Sequence, residues 1–358
     1  MPLKLPSVSK KVLSIDFGSK EIKVVEGKYT KNNIQIFKAI TIPVEPHFYK
    51  DGEILNKDVL SNTIKNSLKE NKISTDLAYG IINSSSIITR EISIPKVPEK
   101  EIASIIGYQL NDFLPVDPED YIVNHLIIGN KKDNEVEKIN ILLVAISKTM
   151  VTTHLDLIKA SGLKPQVLDY QGNAMAKLLK FNGQLNEFYN TRDLVIGSID
   201  MGYSSSKLTI INNGNIEVAR AIDVGAKDLY ENISSFFNYS LEDIEKRVME
   251  IEDISISREE FTDYYRLINI VRTSLINLCE RIEMIFRYYL TRETGNNINF
   301  ILLQGGLSNI NGIDNLFSNY FNIPCVKPSN LDKIKWSGDL SKFSNAIGGL
   351  IRINEVQR

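Results

Sequence analysis

The sequence predicts an α/β protein of two related lobes, each opening with the same antiparallel meander. The first observation is a duplication. Residues 14–25 read SIDFGSKEIKVV and residues 198–210 read SIDMGYSSSKLTI, so both copies hold Ser-Ile-Asp-x-Gly and place a lysine, Lys23 or Lys207, seven residues after the aspartate. The echo continues from NIQIFKAI at 33–40 to NIEVARAI at 215–222. The second observation is length: 358 residues are two domains' worth at roughly 100–200 residues each, enough to bury more than one core.

Each copy reads as strand, glycine turn, strand, turn, strand, with turns at Gly18 and Gly202 and again at the Asn-rich segments 31–33 and 212–214. Between the copies, residues 87–169 read as a small unit of their own. ITREISIP alternates as a strand, and residues 98–115 are expected to form a helix with Ile102, Ile105, Ile106, Leu110, Phe113 and Leu114 on its apolar stripe. Residues 121–128 and 139–147 read as strands, and 149–160 as a second helix stopped by Ser161-Gly162 and Pro165. Prolines are absent from there to Pro324, which suits a helical second half. A long helix is expected from about residue 259 to 292, carried by Leu267, Ile270, Val271, Leu278, Ile282, Phe286 and Tyr289. NINFILLQGG then reads as a buried strand ending in a glycine pair, followed by a short helix over 311–320 and a final helix at SNAIGGLIR.

Composition narrows the function. With 43% hydrophobic and 24% charged residues the chain is globular, and 42 basic against 44 acidic residues leave no electrostatic footprint for nucleic acid. Cys279 and Cys325 stand apart, with no CxxC and no nearby histidine, so neither a disulfide framework nor a zinc site is expected and the setting is reducing cytosol. The first residues lack the apolar core of a signal peptide, and the longest largely apolar stretch, 139–146, is too short to span a bilayer. No direct membrane insertion is expected; another protein must bring this one to a membrane. His47, His125 and His154 are scattered away from carboxylates at ligand spacing and read as surface or structural residues, and Trp336 as packing.

The repeated Asp-x-Gly is the candidate site. An aspartate at a strand end followed by a glycine turn sets a carboxylate beside free backbone N–H groups, which can cradle phosphate oxygens while the carboxylate holds magnesium through its waters. One copy alone is equally an ordinary turn; two in register, Asp16 with Gly18 and Asp200 with Gly202, point to two hairpins gripping one polyphosphate and its metal. Gly305-Gly306 after FILLQ allows an adenosine to approach the backbone, or is a plain strand-to-helix turn, and Gly225 is a weaker fourth candidate.

The order DFGSKEIK, DMGYSSSKL, LLQGGLSNINGI and SNAIGGLIR resembles the two phosphate motifs, the adenosine motif and the connecting motif of the actin-like ATPase superfamily. Within it the chain resembles the PilM family of type IV pilus assembly proteins, through IDFGSKEIKVVE, REISIPKVPEKEIASIIGYQLNDFLPVDPEDYIVN and ILLVAISKTMVTTHLDLIKASGLKPQVLDYQGNAMA. The resemblance implies an actin-like two-lobed ATPase fold. The first lobe would span 10–190, with an FtsA-type small αβ subdomain inserted at about 87–168. The second lobe would span 191–340, with a helical subdomain at about 226–296, and residues 341–358 would form a helix returning to the first.

It also implies ATP and Mg²⁺, with Asp16 and Asp200 holding the metal, Gly18, Ser19 and Lys20 the phosphates, and Lys23 reaching them by side chain. Gly202, Tyr203 and Ser204 would form the opposite turn with Gly225 nearby. Gly305 and Gly306 would border adenosine, and Glu280 and Glu283 of the long helix would stand beside the base. The chain departs from the family pattern at Tyr203, where small residues are usual, at Gly225-Ala226 in place of Gly-Gly, and at Glu283-Met284.

The implied role is a cytoplasmic scaffold of the type IV pilus and twitching-motility machinery, recruited to the inner face of the cell membrane. It would bind the short N-terminus of the membrane protein PilN in a groove beside the inserted unit, which Ile102, Ile106, Leu110 and Phe113 would line, and meet other inner-membrane pilus components. Gln171 either positions an attacking water or is an ordinary polar helix start, so at most slow ATPase activity is expected. An FtsA-like filament former would want an amphipathic C-terminal helix, and IRINEVQR is short and mixed in charge. A sugar or acetate kinase would need a general base, and no unclaimed strand-end aspartate supplies one.

Overall fold

The computed structural model describes residues 10–45, 47–114, 117–133, 136–256 and 262–352. The chain divides into two compact units, each discontinuous in sequence: Met1–Asn83 with Val151–Arg192 and Ser329–Arg358, and Ser84–Met150 with Asp193–Pro328.

The first unit is built on a five-stranded sheet in the order Lys164–Tyr170, Leu77–Ile82, Val12–Asp16, Glu21–Tyr29, Ile34–Pro43. The first three strands run parallel and the last two complete the antiparallel meander. Val12–Asp16 is buried along its whole length, which is why it reads as an apolar run rather than an alternation. Helix Lys57–Glu70 is started by the Asn56 side chain, which accepts from the Val59 amide at 3.2 Å, and it buries Leu60, Ile64 and Leu68 at helical spacing. The closing helix Leu340–Gly349 lies against helix Gln171–Phe181 and strand Val12–Asp16. Its glycine pair explains the contact. A Cβ on Gly348 would fall 2.1 Å from the Ala174 carbonyl oxygen, and one on Gly349 2.3 Å from Ile81 and 2.4 Å from the Ser14 hydroxyl.

A buried ion pair ties the chain beyond that helix to the same unit. Lys177 Nζ donates to Asp169 at 2.5 Å and to the Ile351 carbonyl at 3.0 Å, while Asn173 donates to the other Asp169 oxygen at 2.9 Å. Burial pulls Lys177 below the usual ammonium range against the opposing pull of Asp169.

The second unit repeats the sheet: Asn215–Ile222, Ser206–Asn212, Val195–Met201, Phe300–Gln304, Cys325–Val326. The register repeats as well. Asp16 stands directly across from Lys23 in one hairpin and Asp200 from Lys207 in the other. The following turn, Asn213-Gly214, has φ of 50° and 69°, the left-handed pair that a two-residue hairpin of this twist requires. Helices Ala226–Ser234, Leu241–Met249, Asp263–Arg292 and Ile313–Phe321 pack around this sheet.

The same unit contains a three-stranded sheet, Ile88–Pro95, Val136–Ser147 and Tyr121–Asp133, with Val136–Ser147 in the middle. One face packs on helix Glu99–Tyr108 through Ile94, Ile102, Ile106, Ile139, Ile141 and Leu143. From the other face, Thr89 donates to the Ala219 carbonyl at 2.6 Å.

Several boundaries differ from the sequence reading. The helix expected over 98–115 stops at Tyr108, turns at Gln109 and resumes as Leu110–Phe113, and its last position, 115, lies outside the described residues. The small unit drawn at about 87–168 ends earlier: Lys164–Tyr170 pairs in parallel with Leu77–Ile82 in the first unit's sheet, and the grouping places 84–150 with the second unit. The long helix begins at Asp263, capped by the Thr262 hydroxyl, and its expected start falls partly at 257–261, outside the described residues. The closing helix ends at Gly349, and 353–358 also lie outside the described residues. No helix among the described residues is long and apolar enough to cross a membrane.

Replacing Lys177 by Ala is expected to lower stability by about 3 kcal/mol, since it leaves the Asp169 carboxylate buried without its counter-ion. Urea denaturation followed by circular dichroism measures this, and a loss below about 1 kcal/mol would mean the pair is dispensable.

Candidate functional site

In the first unit the strand Val12–Asp16 delivers a buried carboxylate to its end. Gly18 follows because a Cβ there would lie 2.6 Å from the Glu21 carbonyl oxygen. The turn is fixed from below. The Phe17 amide donates to the Ile81 carbonyl at 3.0 Å, and the Phe17 ring meets the buried His154 edge-on at 5.1 Å between centroids. His154 Nε2 in turn lies 3.1 Å from the Tyr49 hydroxyl, so this histidine is structural. The Ser19 hydroxyl oxygen accepts from the Asp51 amide at 3.0 Å, leaving its O–H as a donor, and the Lys20 carbonyl accepts from Val44 at 2.8 Å. Lys20 is exposed and Lys23 half-buried.

In the second unit Gly202 meets the same restriction, a Cβ there falling 2.8 Å from the Ser205 carbonyl oxygen. The start of helix Ala226–Ser234 locks this turn. The Ala226 and Lys227 amides donate to the Gly202 and Tyr203 carbonyls at 3.0 and 2.9 Å, and the Gly225 amide donates to Asp228 at 2.8 Å. A Cβ on Gly225 would sit 2.3 Å from the Tyr203 carbonyl oxygen, so the glycine is needed for the helix to close on the turn. Tyr203 departs from the small-residue pattern without blocking the turn, because its ring packs against Tyr230 and the helical core. Burial there, with Glu245 adding to it, raises its hydroxyl pKa.

Gly305 adopts φ of 86°, and a Cβ on it would lie 2.5 Å from the Asp200 carboxylate and 2.5 Å from the Met201 carbonyl oxygen. The parallel pairing of Asp200 with Gln304 thus brings the glycine pair onto the second turn. Gly306 faces open space.

Beside these glycines is a cavity of about 190 Å³ whose walls include Gly225, Asp228, Asn232, Ser274, Asn277, Arg281 and Leu307. Asn232 donates to the Ser274 hydroxyl at 3.2 Å across it, while Arg281 makes no hydrogen bond or ion pair among the described residues. Glu280 and Glu283 do not line it. Glu280 is exposed on another helix face, and Glu283 accepts from Arg287 at 2.7 Å and from the Tyr320 hydroxyl at 3.2 Å. Of the five residues of this helix that do line it, Ser274, Asn277, Leu278 and Arg281 fall at i, i+3, i+4 and i+7 on one stripe with Leu275 beside them; that spacing is the signal in the sequence.

Gln171 is buried at the start of helix Gln171–Phe181. Ile102 and Ile106, at 0% and 5% exposure, are consumed by the small sheet's own core and are unavailable as groove surface; Leu110 and Phe113 are half-buried at its margin. Among the described residues no three His, Cys, Asp or Glu side chains gather as a metal cage. The donor set offered by each turn, one carboxylate beside backbone amides, is the kind magnesium uses when phosphate oxygens and water complete its shell.

Three solved structures share this architecture. The PilM-PilN type IV pilus biogenesis complex matches with a TM-score of 0.77 and 20% identity, over 96% of this chain and 100% of that one. Ethanolamine utilization protein EutJ from Carboxydothermus hydrogenoformans matches at 0.57 and 12%, over 97% and 90%. MreB5 of Spiroplasma citri bound to ADP matches at 0.55 and 12%, over 95% and 94%. The fold is that of the actin-like ATPases. Residues 14–342 match the profile of type IV pilus assembly protein PilM, and the chain belongs to that family.

Gly225→Ala is expected to destabilise the protein by about 1–3 kcal/mol, because the added methyl meets the backbone of residues 203–205. Gly306→Ala should stay within about 0.5 kcal/mol of the parent. Chemical denaturation of the two variants side by side checks the contrast; equal losses would contradict the packing described.

Proposed function

We propose that this protein binds ATP with Mg²⁺ and acts as a cytoplasmic scaffold of the type IV pilus machine, recruited to the inner face of the membrane by a PilN-type partner. The observation that carries the nucleotide reading is the second unit's continuous site: a carboxylate-bearing turn, a left-handed glycine pressed onto it, and a cavity directly beyond. In this reading the backbone amides at 18–20 of one turn and at 202–204 of the other take phosphate oxygens, and at each turn the carboxylate, Asp16 or Asp200, holds magnesium through its waters. Lys23 and Lys207, across from the two carboxylates, add positive charge. Gly305 and Gly306 leave room for the nucleoside, and Arg281 lies against the base, where a guanidinium gains cation–π contact. Mg²⁺ supplies neutralisation of phosphate charge.

Hydrolysis is expected to be slow. Asp169, two residues before Gln171, is committed to Lys177 and Asn173 and is a poor general base, so Gln171 offers positioning alone. The partner reading is supported by family membership and by similarity to a PilM-PilN complex. The half-buried Leu110 and Phe113, beside the 91% exposed Tyr108, are the residues assigned to an extended apolar peptide.

Isothermal calorimetry is expected to register Mg-ATP binding by the wild type and a loss of about tenfold or more, about 1.4 kcal/mol, in Asp16→Ala and in Asp200→Ala. Wild-type affinity in both variants would sink the nucleotide reading. Separately, Leu110→Ser and Phe113→Ser, folded by circular dichroism, should bind a PilN-type N-terminal peptide more weakly. Unchanged affinity would take these residues out of the partner site.

A further inference from the structure

The long helix Asp263–Arg292 does two jobs within the second unit. Its middle, through Ser274, Asn277 and Arg281, walls the cavity, and its last turn meets the three-stranded sheet. Arg281 and Arg292 are eleven residues apart, about 16 Å along the axis at roughly 1.5 Å per residue. At that far end Arg292 donates to the carboxylate of Glu91, on strand Ile88–Pro95, and Arg220 of strand Asn215–Ile222 stands 3.6 Å from the other Glu91 oxygen. Tyr289, one turn earlier, donates to Glu217 at 2.5 Å. Glu91 is therefore where the small sheet, the repeated meander and the long helix converge.

The convergence is built loosely. The Glu91 side chain is 13% exposed, yet its Oε1 accepts no hydrogen bond and Arg292 Nε donates none. Burial pushes the Glu91 carboxyl above its usual range in spite of Arg292 and Arg220, with Glu217 adding to the rise. A buried ion pair whose hydrogen bonds are not all met recovers less of the cost of taking its charges out of water. Room for exchange exists, because a cavity of about 250 Å³ opens at the pair and is walled by Ser93, Lys138, Asn140 and Glu293 as well as by Glu91 and Arg292. Lys138 and Glu293 are the further charged residues of that wall, one of each sign.

We propose that the Glu91–Arg292–Arg220 cluster is a two-position joint that couples nucleotide occupancy of the cavity to the seating of the three-stranded sheet. A nucleotide that presses on Ser274, Asn277 and Arg281 shifts or turns the helix as a rod, and Arg292 exchanges Glu91 for Glu293. The inference rests on the nucleotide reading above, and it names the regulated element as the sheet that carries Leu110 and Phe113 on its helical cover.

The test is hydrogen exchange on the full chain, with and without Mg²⁺ and a non-hydrolysable ATP analogue, while calorimetry on the same samples reports binding. In the wild type, exchange in strand Ile88–Pro95 should change by about fivefold or more on binding, the lower end of ordinary coupling factors. Glu91→Gln and Arg292→Lys should still bind the analogue but lose that response. Because glutamine keeps the size and shape of Glu91 and an oxygen that can accept from Arg292, Glu91→Gln is expected to keep its fold; if it does not, Arg292→Lys alone decides. A wild type that binds without any response, or a folded variant that keeps the full response, overturns the joint. A wild type that binds no analogue overturns the nucleotide reading itself, and calorimetry tells the two failures apart.

Discussion

A carboxylate that closes a buried strand and faces a lysine across its hairpin is the constraint on which both units are built. Asp16 and Asp200 are almost fully buried, at 2% and 9% exposure, and each has its lysine as the direct cross-strand neighbour. A buried carboxylate is tolerable only with a counter-charge and hydrogen-bond donors close by. The antiparallel register sets a lysine directly across from each aspartate, and a glycine turn follows it in the chain. Moving either aspartate one residue along its strand would point it to the opposite face of the sheet. The repeated spacing of Asp, Gly and Lys is therefore a geometric requirement, satisfied twice.

That requirement is local, which is why it was legible. Both meanders and their turns follow from contacts within about a dozen residues, and the structure forms them at the places expected. What escaped depends on distant partners. Lys164–Tyr170 looks like an exit from the small unit, and only its parallel pairing with Leu77–Ile82 makes it an edge of the first sheet. Helix Glu99–Tyr108 breaks at Gln109 although the apolar stripe continues to Leu114. Ile102 and Ile106 were read as groove residues because a stripe does not say which neighbour will cover it; the small sheet does. Glu280 and Glu283 were placed by analogy of position, and the helix turns Ser274, Asn277 and Arg281 to the cavity instead.

The departures from the family pattern also have physical accounts. Tyr203 occupies a position where a small residue is usual, yet the turn uses its backbone and the ring is absorbed by Tyr230 and the helices behind it. Ala226 can replace a second glycine because its amide, bound to the Gly202 carbonyl, carries the contact and its side chain is simply buried. Gly225 cannot be replaced so easily, since the space a side chain would need is filled by the turn it supports. Neighbouring residues in one motif are thus held by different forces, and only the structure separates a steric need from a habit of sequence.

The discontinuity of the two units has a consequence for the order of events at the ribosome. The first strand of the first unit is made before any of the second, but the helix that covers it, Leu340–Gly349, is made only after the second unit ends at Pro328. Until then Val12–Asp16 and helix Gln171–Phe181 lack the glycine-lined partner against which they pack. The second unit is complete by Pro328, so it can consolidate first although its sheet begins nearly two hundred residues later. Vectorial synthesis therefore inverts the order in the sequence: the unit that starts the chain finishes last, and a prematurely terminated chain leaves a folded second unit joined to an open first one.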